Sequence, residues 1–431
     1  MTAVLKRIPG VVERRTHRVL LARGCVLNHY QPIINLRSGQ VIGVEALGRL
    51  EQDGRVLAPA TFLDSFTVPD LDNLLFRSLR LGLAMLATCA ATHPRLRLGM
   101  NVTPSVLTRD RFSHRFMDVL HEGGIDPGRI TIEILEGDQF LNVEHAAAEL
   151  RVLRGHGVQV ALDDVGSAYS SLIRLRELPV DVIKLDQAFV RNMLQQPDDL
   201  QFVASMISLA SGLRKRLVVE GAETVEIVDA LQVLGVDAAQ GYAIARPMPV
   251  AALRDWLAGH VVVKSTRTPT SLLGVYAAHL MIADAFRVVA NQTMSLTLPA
   301  SIHDPHACTI GRYLDRIGEH ETPYGVAHKH FHAAILARET DAAAWDQAAE
   351  DFRITLEAAS SGRRRGPRRS GPPPSRLRSG RAASTARCRK RWVPPPLPFQ
   401  RSGEIVGTFG SSAHTRPCFK AGASRRRTGL A

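Results

Sequence analysis

The chain has 431 residues, with 54 Lys and Arg against 41 Asp and Glu, and its net charge of +13 by itself suggests a nucleic-acid binder. Residues 360–431 hold 18 of the basic residues and one acidic residue, Glu404, which leaves the other 359 residues with 36 basic against 40 acidic. A charge-based case for a nucleic-acid-binding body is thereby excluded, and an apolar fraction of 45% supplies a core for one large and one small domain.

In chain order, residues 1–23 form a leader segment without the apolar core of a secretory signal. Residues 24–260 alternate short β-branched runs with amphipathic stretches. Strands are expected at 26–36, 41–47, 96–102, 130–135, 158–163, 180–186, 217–221 and 238–245. Strand–helix alternation means a parallel sheet, and this scale fits an α/β fold, a TIM-like (β/α)8 barrel of typically ~250 residues. The Asn35-Leu36-Arg37-Ser38-Gly39-Gln40 link is of hairpin length, so the first strand pair is expected to be antiparallel. Residues 261–270 are a polar linker. Residues 271–359 carry four stretches with apolar spacing of three and four, at 272–289, 310–317, 326–336 and 342–356, which predicts a small all-α four-helix bundle.

Residues 360–431 are rich in Arg and Pro and predict a disordered, solvated tail. Nucleic-acid contact through counterion release is the lesser expectation, and out-of-frame translation of GC-rich sequence gives the same composition. No apolar run approaches the ~18 residues of a bilayer span. The five cysteines (Cys25, Cys89, Cys308, Cys388 and Cys418) lack close spacing and read as reduced thiols of a cytoplasmic protein.

In a parallel barrel, function sits at the C-terminal strand ends. The polar residues expected there are Glu45, Asn101, Glu133, Glu136, Asp163, Asp164, Lys184, Asp186, Glu220, Glu223 and Gln240. A single acid at a strand end usually caps the next helix. A converging set is prohibitively repulsive unless hard divalent cations resolve it.

The Val44-Glu45-Ala46-Leu47-Gly48-Arg49 segment resembles the signature of the EAL family of cyclic di-GMP phosphodiesterases. The likeness continues through Asn101-Val102-Thr103-Pro104, Glu133-Ile134-Leu135-Glu136, Leu162-Asp163-Asp164-Val165-Gly166, Val182-Ile183-Lys184-Leu185-Asp186, Val219-Glu220-Gly221-Ala222-Glu223 and Gln240-Gly241-Tyr242. It implies hydrolysis of cyclic di-GMP to linear pGpG with two Mg2+ or Mn2+ ions. Glu45, Asn101, Glu133, Asp163, Asp164 and Glu220 match the metal ligands and acids of the site, with Glu45, Lys184 and Glu220 as the catalytic set. Lys184 matches the lysine that positions the attacking water. Gln31, Arg49 and Gln240 match positions that touch the dinucleotide, and Glu136 and Asp186 match residues that support the loop after Asp164. The sequence departs from the family at Gly48, Leu50, Val165 and Ala168. The alternative is therefore a weak or inactive domain that serves as a cyclic di-GMP receptor. With only about 23 residues ahead of it, no cyclase domain is expected before the barrel.

In the helical region, His328 and His332 lie one turn apart and can meet one ion. Together with His279 and Cys308 they make a tetrahedral zinc set. Histidine pairs at this spacing are more often surface residues, and His303, His306, His320 and His330 lie nearby. The order Ala278-His279-Leu280, Cys308-Thr309-Ile310-Gly311 and His328-Lys329-His330-Phe331-His332 resembles the chemoreceptor zinc-binding (CZB) domain. That likeness implies a zinc-binding, often dimeric cytoplasmic bundle. It suggests that Zn2+ or thiol oxidation modulates a homodimeric enzyme, with structural zinc as the alternative.

Overall fold

The computed structural model describes residues 9–135, 142–166, 171–290, 304–337 and 342–360. Glu136, residues 167–170 with Ala168, His303, the tail from 361 onward and its two cysteines lie outside the described residues.

Among the described residues, nine strands form one sheet: β1 (Val26–Asn35), β2 (Val41–Gln52), β3 (Arg55–Leu57), β4 (Arg97–Asn101), β5 (Ile130–Leu135), β6 (Gln159–Val165), β7 (Val182–Leu185), β8 (Arg216–Val219) and β9 (Ala238–Ala239). The order β1-β9-β8-β7-β6-β5-β4-β2 is closed by β1 pairing with β2, giving an eight-stranded barrel with β3 as a flap on β2. β1 runs antiparallel to both neighbours, as the short Gly-containing link predicts, and β2 and β4 to β9 run parallel.

Two findings differ from the sequence expectations. A helix at Pro9–Ala22 occupies the stretch read as leader, burying His17 and Leu21 against the barrel. The last strand is two residues long rather than eight, because the chain turns at Gly241. A Cβ on Gly241 would lie 2.2 Å from the Ala222 carbonyl oxygen, so only glycine permits that approach.

Helices of the barrel wall start and stop on local signals. At Val225–Leu234 the Thr224 hydroxyl accepts from the Ile227 N–H, and Gly235 ends the helix at φ 84°. The wall helices bury an aliphatic core outside the barrel. A smaller plug of Ala161, Val182, Val218 and Ala238, flanked by Ile33 and Ile42, forms a separate cluster.

After the barrel, helices run at Leu272–Ala290, Thr309–Ile317, Pro323–Ala337 and Ala342–Ser360. The first packs on Val225–Leu234. Asp229 on that barrel helix is buried and accepts from the N–H and hydroxyl groups of both Thr270 and Ser271, at 2.6–3.1 Å. It thus caps Leu272–Ala290 from outside the helix. Among the described residues, no helix is long and apolar enough to cross a membrane.

Candidate active site

Strand pleat places most of the polar groups. Alternate residues of a strand share a face, so the plug residues Ala161, Val182, Val218 and Ala238 put Asp163, Lys184, Glu220 and Gln240 one step further along the same face. Gly43, Gly99 and Thr131 stand in the same relation to Glu45, Asn101 and Glu133. β1 runs the other way, so Gln31 follows Ile33 in the reverse direction and pairs with Glu45 in register. Gly99 is essential to the layer, since a Cβ there would lie 2.1 Å from Glu133 Oε1. A glycine inside a strand pattern is the sequence signal for such a close approach.

Lys184 is 1% exposed and is the hub. Its Nζ lies 2.7 Å from Glu133 Oε2, 2.7 Å from Glu220 Oε1, 3.1 Å from Asp163 Oδ1 and 3.4 Å from Glu45 Oε2. Asn101 Nδ2 donates to Glu45 Oε1 at 2.6 Å, and Gln240 Nε2 donates to Glu45 Oε2 at 2.7 Å. Gln240 also reaches Gln31 Oε1 at 3.0 Å, and Gln31 Nε2 donates to the Ala245 carbonyl. Glu45 is therefore held by three donors.

One ammonium cannot neutralise this many carboxylates. Burial pushes Glu133 well above the usual carboxylate range, and neighbouring Glu45 and Asp163 add to the shift against the pull of Lys184. Burial likewise raises Asp163, moves Glu220 up to about 8 and, with Asp163 and Asp186 nearby, moves Asp164 up to about 6. At Glu45 burial acts in the same sense, but Lys184 and the bonds from Gln240 and Asn101 outweigh it and hold Glu45 low. Lys184 is itself penalised by burial, yet the four acids keep it firmly protonated.

Asp163 and Asp164 are adjacent, so a regular strand would aim them at opposite faces. The pairing of β6 with β7 instead shifts register between Leu162 and Val165, and Asp164 takes the left-handed conformation at φ 55°. Asp is among the residues that tolerate this conformation best. Both carboxylates thereby reach one site. Donor atoms of Glu45, Glu133 and Asp163 lie within 4.8 Å of one another, as do those of Asp163, Asp164 and Glu220. The two groups share Asp163. Hard oxygen donors in two overlapping sets, with surplus negative charge, fit a pair of hard divalent cations.

Arg49 is half-buried, and its Nη1 donates to the Gly48 carbonyl. Asp186 accepts from the Ala188 N–H at 2.6 Å and caps the short turn after β7. It also faces Asp164 electrostatically.

A second set gathers in the helices beyond the barrel. Donor atoms of Cys308, His328 and His332 lie within 4.8 Å of one another, all buried. Cys308 Sγ is 3.2 Å from His328 Nε2 and accepts from the Gly311 N–H at 3.1 Å. Burial lowers His328 to about 3 and raises the Cys308 thiol. His279 is not in that 4.8 Å group: its Nε2 is 3.0 Å from the Ala349 carbonyl oxygen, and its ring sits edge-on to Phe331 and Phe352.

Comparison with known proteins bears on the barrel. The chain is 36% identical over 233 residues to the cyclic di-GMP phosphodiesterase RocR of Pseudomonas aeruginosa, covering 54% of this chain and 59% of that one. It is 32% identical over 234 residues to the cyclic di-GMP phosphodiesterase NbdA of the same species, covering 53% and 30%. The chain thus spans less than two thirds of either relative. The solved EAL domain protein of Listeria monocytogenes EGD-e superposes with a TM-score of 0.50 at 26% identity, over 56% of this chain and 96% of that one. The family model described as "EAL domain" matches residues 14–247, which takes in the Pro9–Ala22 helix in part and every strand of the barrel. More than half of the chain lies inside that match, and the chain belongs to the EAL domain family.

Proposed function

We propose that the chain hydrolyses cyclic di-GMP to linear pGpG in the cytoplasm. The observation that carries this reading is the convergence of Glu45, Glu133, Asp163 and Glu220 on Lys184, with Asp164 brought in by the irregularity in β6. Two Mg2+ or Mn2+ ions, held by Glu45, Asn101, Glu133, Asp163, Asp164 and Glu220, would relieve charge on the attacking and leaving oxygens of the phosphodiester.

The chain's own residues do the rest. Lys184 fixes Glu133 and Glu220 by direct contact and is the donor able to orient an attacking water. Asn101 can offer its carbonyl oxygen to a cation because its amide nitrogen is already spent on Glu45. Gln240 Oε1 is buried without a hydrogen-bond partner among the described residues, an acceptor suited to a guanine N–H. Arg49 supplies a planar fork for a phosphate or a guanine edge.

Cys308, His328 and His332 suit Zn2+, which takes thiolate and imidazole donors. The low value of His328 keeps its imidazole neutral, as a ligand must be. His279 would complete the tetrahedron after turning from Ala349. On this reading zinc, and oxidation of Cys308, modulates turnover through the geometry of a homodimer or of the helices against the barrel.

Purified chain with cyclic di-GMP and Mn2+ should release pGpG, and Glu45→Ala should lower the rate by more than about 100-fold. Binding of cyclic di-GMP without any pGpG would leave only the receptor reading. Zinc chelation should change the rate or the oligomeric state. If both stay constant while the helices remain folded, the zinc is structural.

A further inference from the structure

A third group of donors stands outside both sets. His306, Asp315 and His320 place their donor atoms within 4.8 Å of one another at the surface. His306 Nδ1 is 2.8 Å and His320 Nε2 is 2.5 Å from the same oxygen, Asp315 Oδ1, and the two rings are 4.4 Å apart. The residues come from three places: the turn before Thr309–Ile317, that helix itself, and the turn after it.

Two glycines build this arrangement in. A Cβ on Gly311 would lie 1.7 Å from the Pro305 carbonyl oxygen, so the turn bearing His306 lies directly on the helix only because residue 311 is glycine. A Cβ on Gly325 would lie 2.5 Å from the carbonyl oxygens of Glu319 and His320, which seats the second turn in the same way. The backbone thus holds both imidazoles against the carboxylate before any ligand arrives.

We propose that His306, Asp315 and His320 form a separate surface site for a borderline divalent cation such as Zn2+, Ni2+ or Co2+. Two imidazoles and one carboxylate suit such ions and not Mg2+ or Ca2+, which prefer all-oxygen sets. Three protein donors leave coordination positions open to water. With His306 and Asp315 about half exposed, the ion exchanges freely with solution. Binding ties together both ends of the Thr309–Ile317 helix. Cys308 caps that helix, so the outer ion steadies the turn that presents the buried thiol.

The site does not depend on the phosphodiesterase reading or on an ion at Cys308, and the test keeps them apart. Zn2+ is titrated into the full chain against a chromophoric chelator, with millimolar Mg2+ present to occupy the barrel acids. The unaltered chain should bind one more equivalent than His306→Ala or His320→Ala, and Cys308→Ser should retain that equivalent. His306→Cys should restore it, because a thiolate is a zinc donor but a poor substitute for an imidazole in a hydrogen-bonded brace. Circular dichroism and melting of each variant establish that it is folded. Equal stoichiometry in the unaltered chain and His306→Ala, or no rescue by His306→Cys in a folded chain, overturns the proposal and leaves Asp315 as a hydrogen-bonded brace. Loss of the same equivalent in Cys308→Ser overturns it too.

Discussion

Lys184 illustrates how one residue sets the electrostatics of a whole site. It is surrounded by more negative charge than it can balance, so the metal-free barrel must hold protons. Glu220 is the clearest holder, raised by burial from the usual 4.5 to about 8. An acid whose folded value is raised takes up a proton on folding. The stability of the metal-free fold is therefore greatest below the unfolded value and falls as pH rises through the folded one. For Glu220 the window runs from 4.5 to about 8. Glu220→Gln removes the charge and keeps the shape, so in EDTA it should grow steadily more stable than the parent between pH 5 and pH 8. Melting temperatures of the two chains across that range check this, and a constant gap would show that Glu220 carries no such burden. With Mg2+ or Mn2+ in excess the trend should reverse, because ligation needs the ionised acid and its benefit grows with pH.

At the scale of a strand, the pleat does most of the placing, and that part was legible. Regular alternation along β4 to β8 puts Asn101, Glu133, Asp163, Lys184 and Glu220 on the inner face, and the sequence offers the residues in that order. What alternation cannot give is the Asp163–Asp164 pair, whose convergence depends on a register shift and a left-handed residue. Nor does it give the end of β9, which depends on contact between Gly241 and Ala222, far apart in sequence. Nor does helical spacing give the partner of the His279 ring nitrogen, which is set by a different helix. Gly99 is the test of the strand argument. Gly99→Ala puts a methyl 2.1 Å from Glu133 Oε1 and must shift that carboxylate, whose other oxygen contacts Lys184. Overpacking of this kind costs about 1–3 kcal/mol, while a ~1 Å misplacement in an active site can cost about 100-fold in rate. The variant should stay folded by circular dichroism yet lose most pGpG formation, and near-parental turnover would mean that Glu133 is not where the chemistry needs it.

For the molecule as a whole, the helices after residue 270 are held to the barrel wall by packing of Leu272–Ala290 on Val225–Leu234 and by polar ties. Asp229 is a polar tie between them, because its buried carboxylate satisfies the N–H and hydroxyl groups of both Thr270 and Ser271. A Cβ on Gly274 would lie 2.0 Å from Asp229 Oδ2, so the helix start is fitted to this carboxylate. Away from this cap, Arg353 of Ala342–Ser360 reaches Asp198 at 2.6 Å, and Tyr276 donates to the same carboxylate oxygen at 2.7 Å. Arg353 is mostly shielded while Asp198 is half exposed, so this ion pair is the weaker tie. Asp229→Ala strips the cap and leaves its donors to find water, at a cost of about 1–3 kcal/mol. That cost falls on docking of the helices and spares the barrel interior, where Asp229 has no part. Limited proteolysis in the 261–270 segment should therefore speed up in Asp229→Ala while the barrel melts as before. If zinc acts on turnover through these helices, chelation should move the rate of the parent chain and no longer move that of Asp229→Ala. Faster cleavage with an unchanged zinc response would show that the signal travels by another route, such as contact between two copies of the chain.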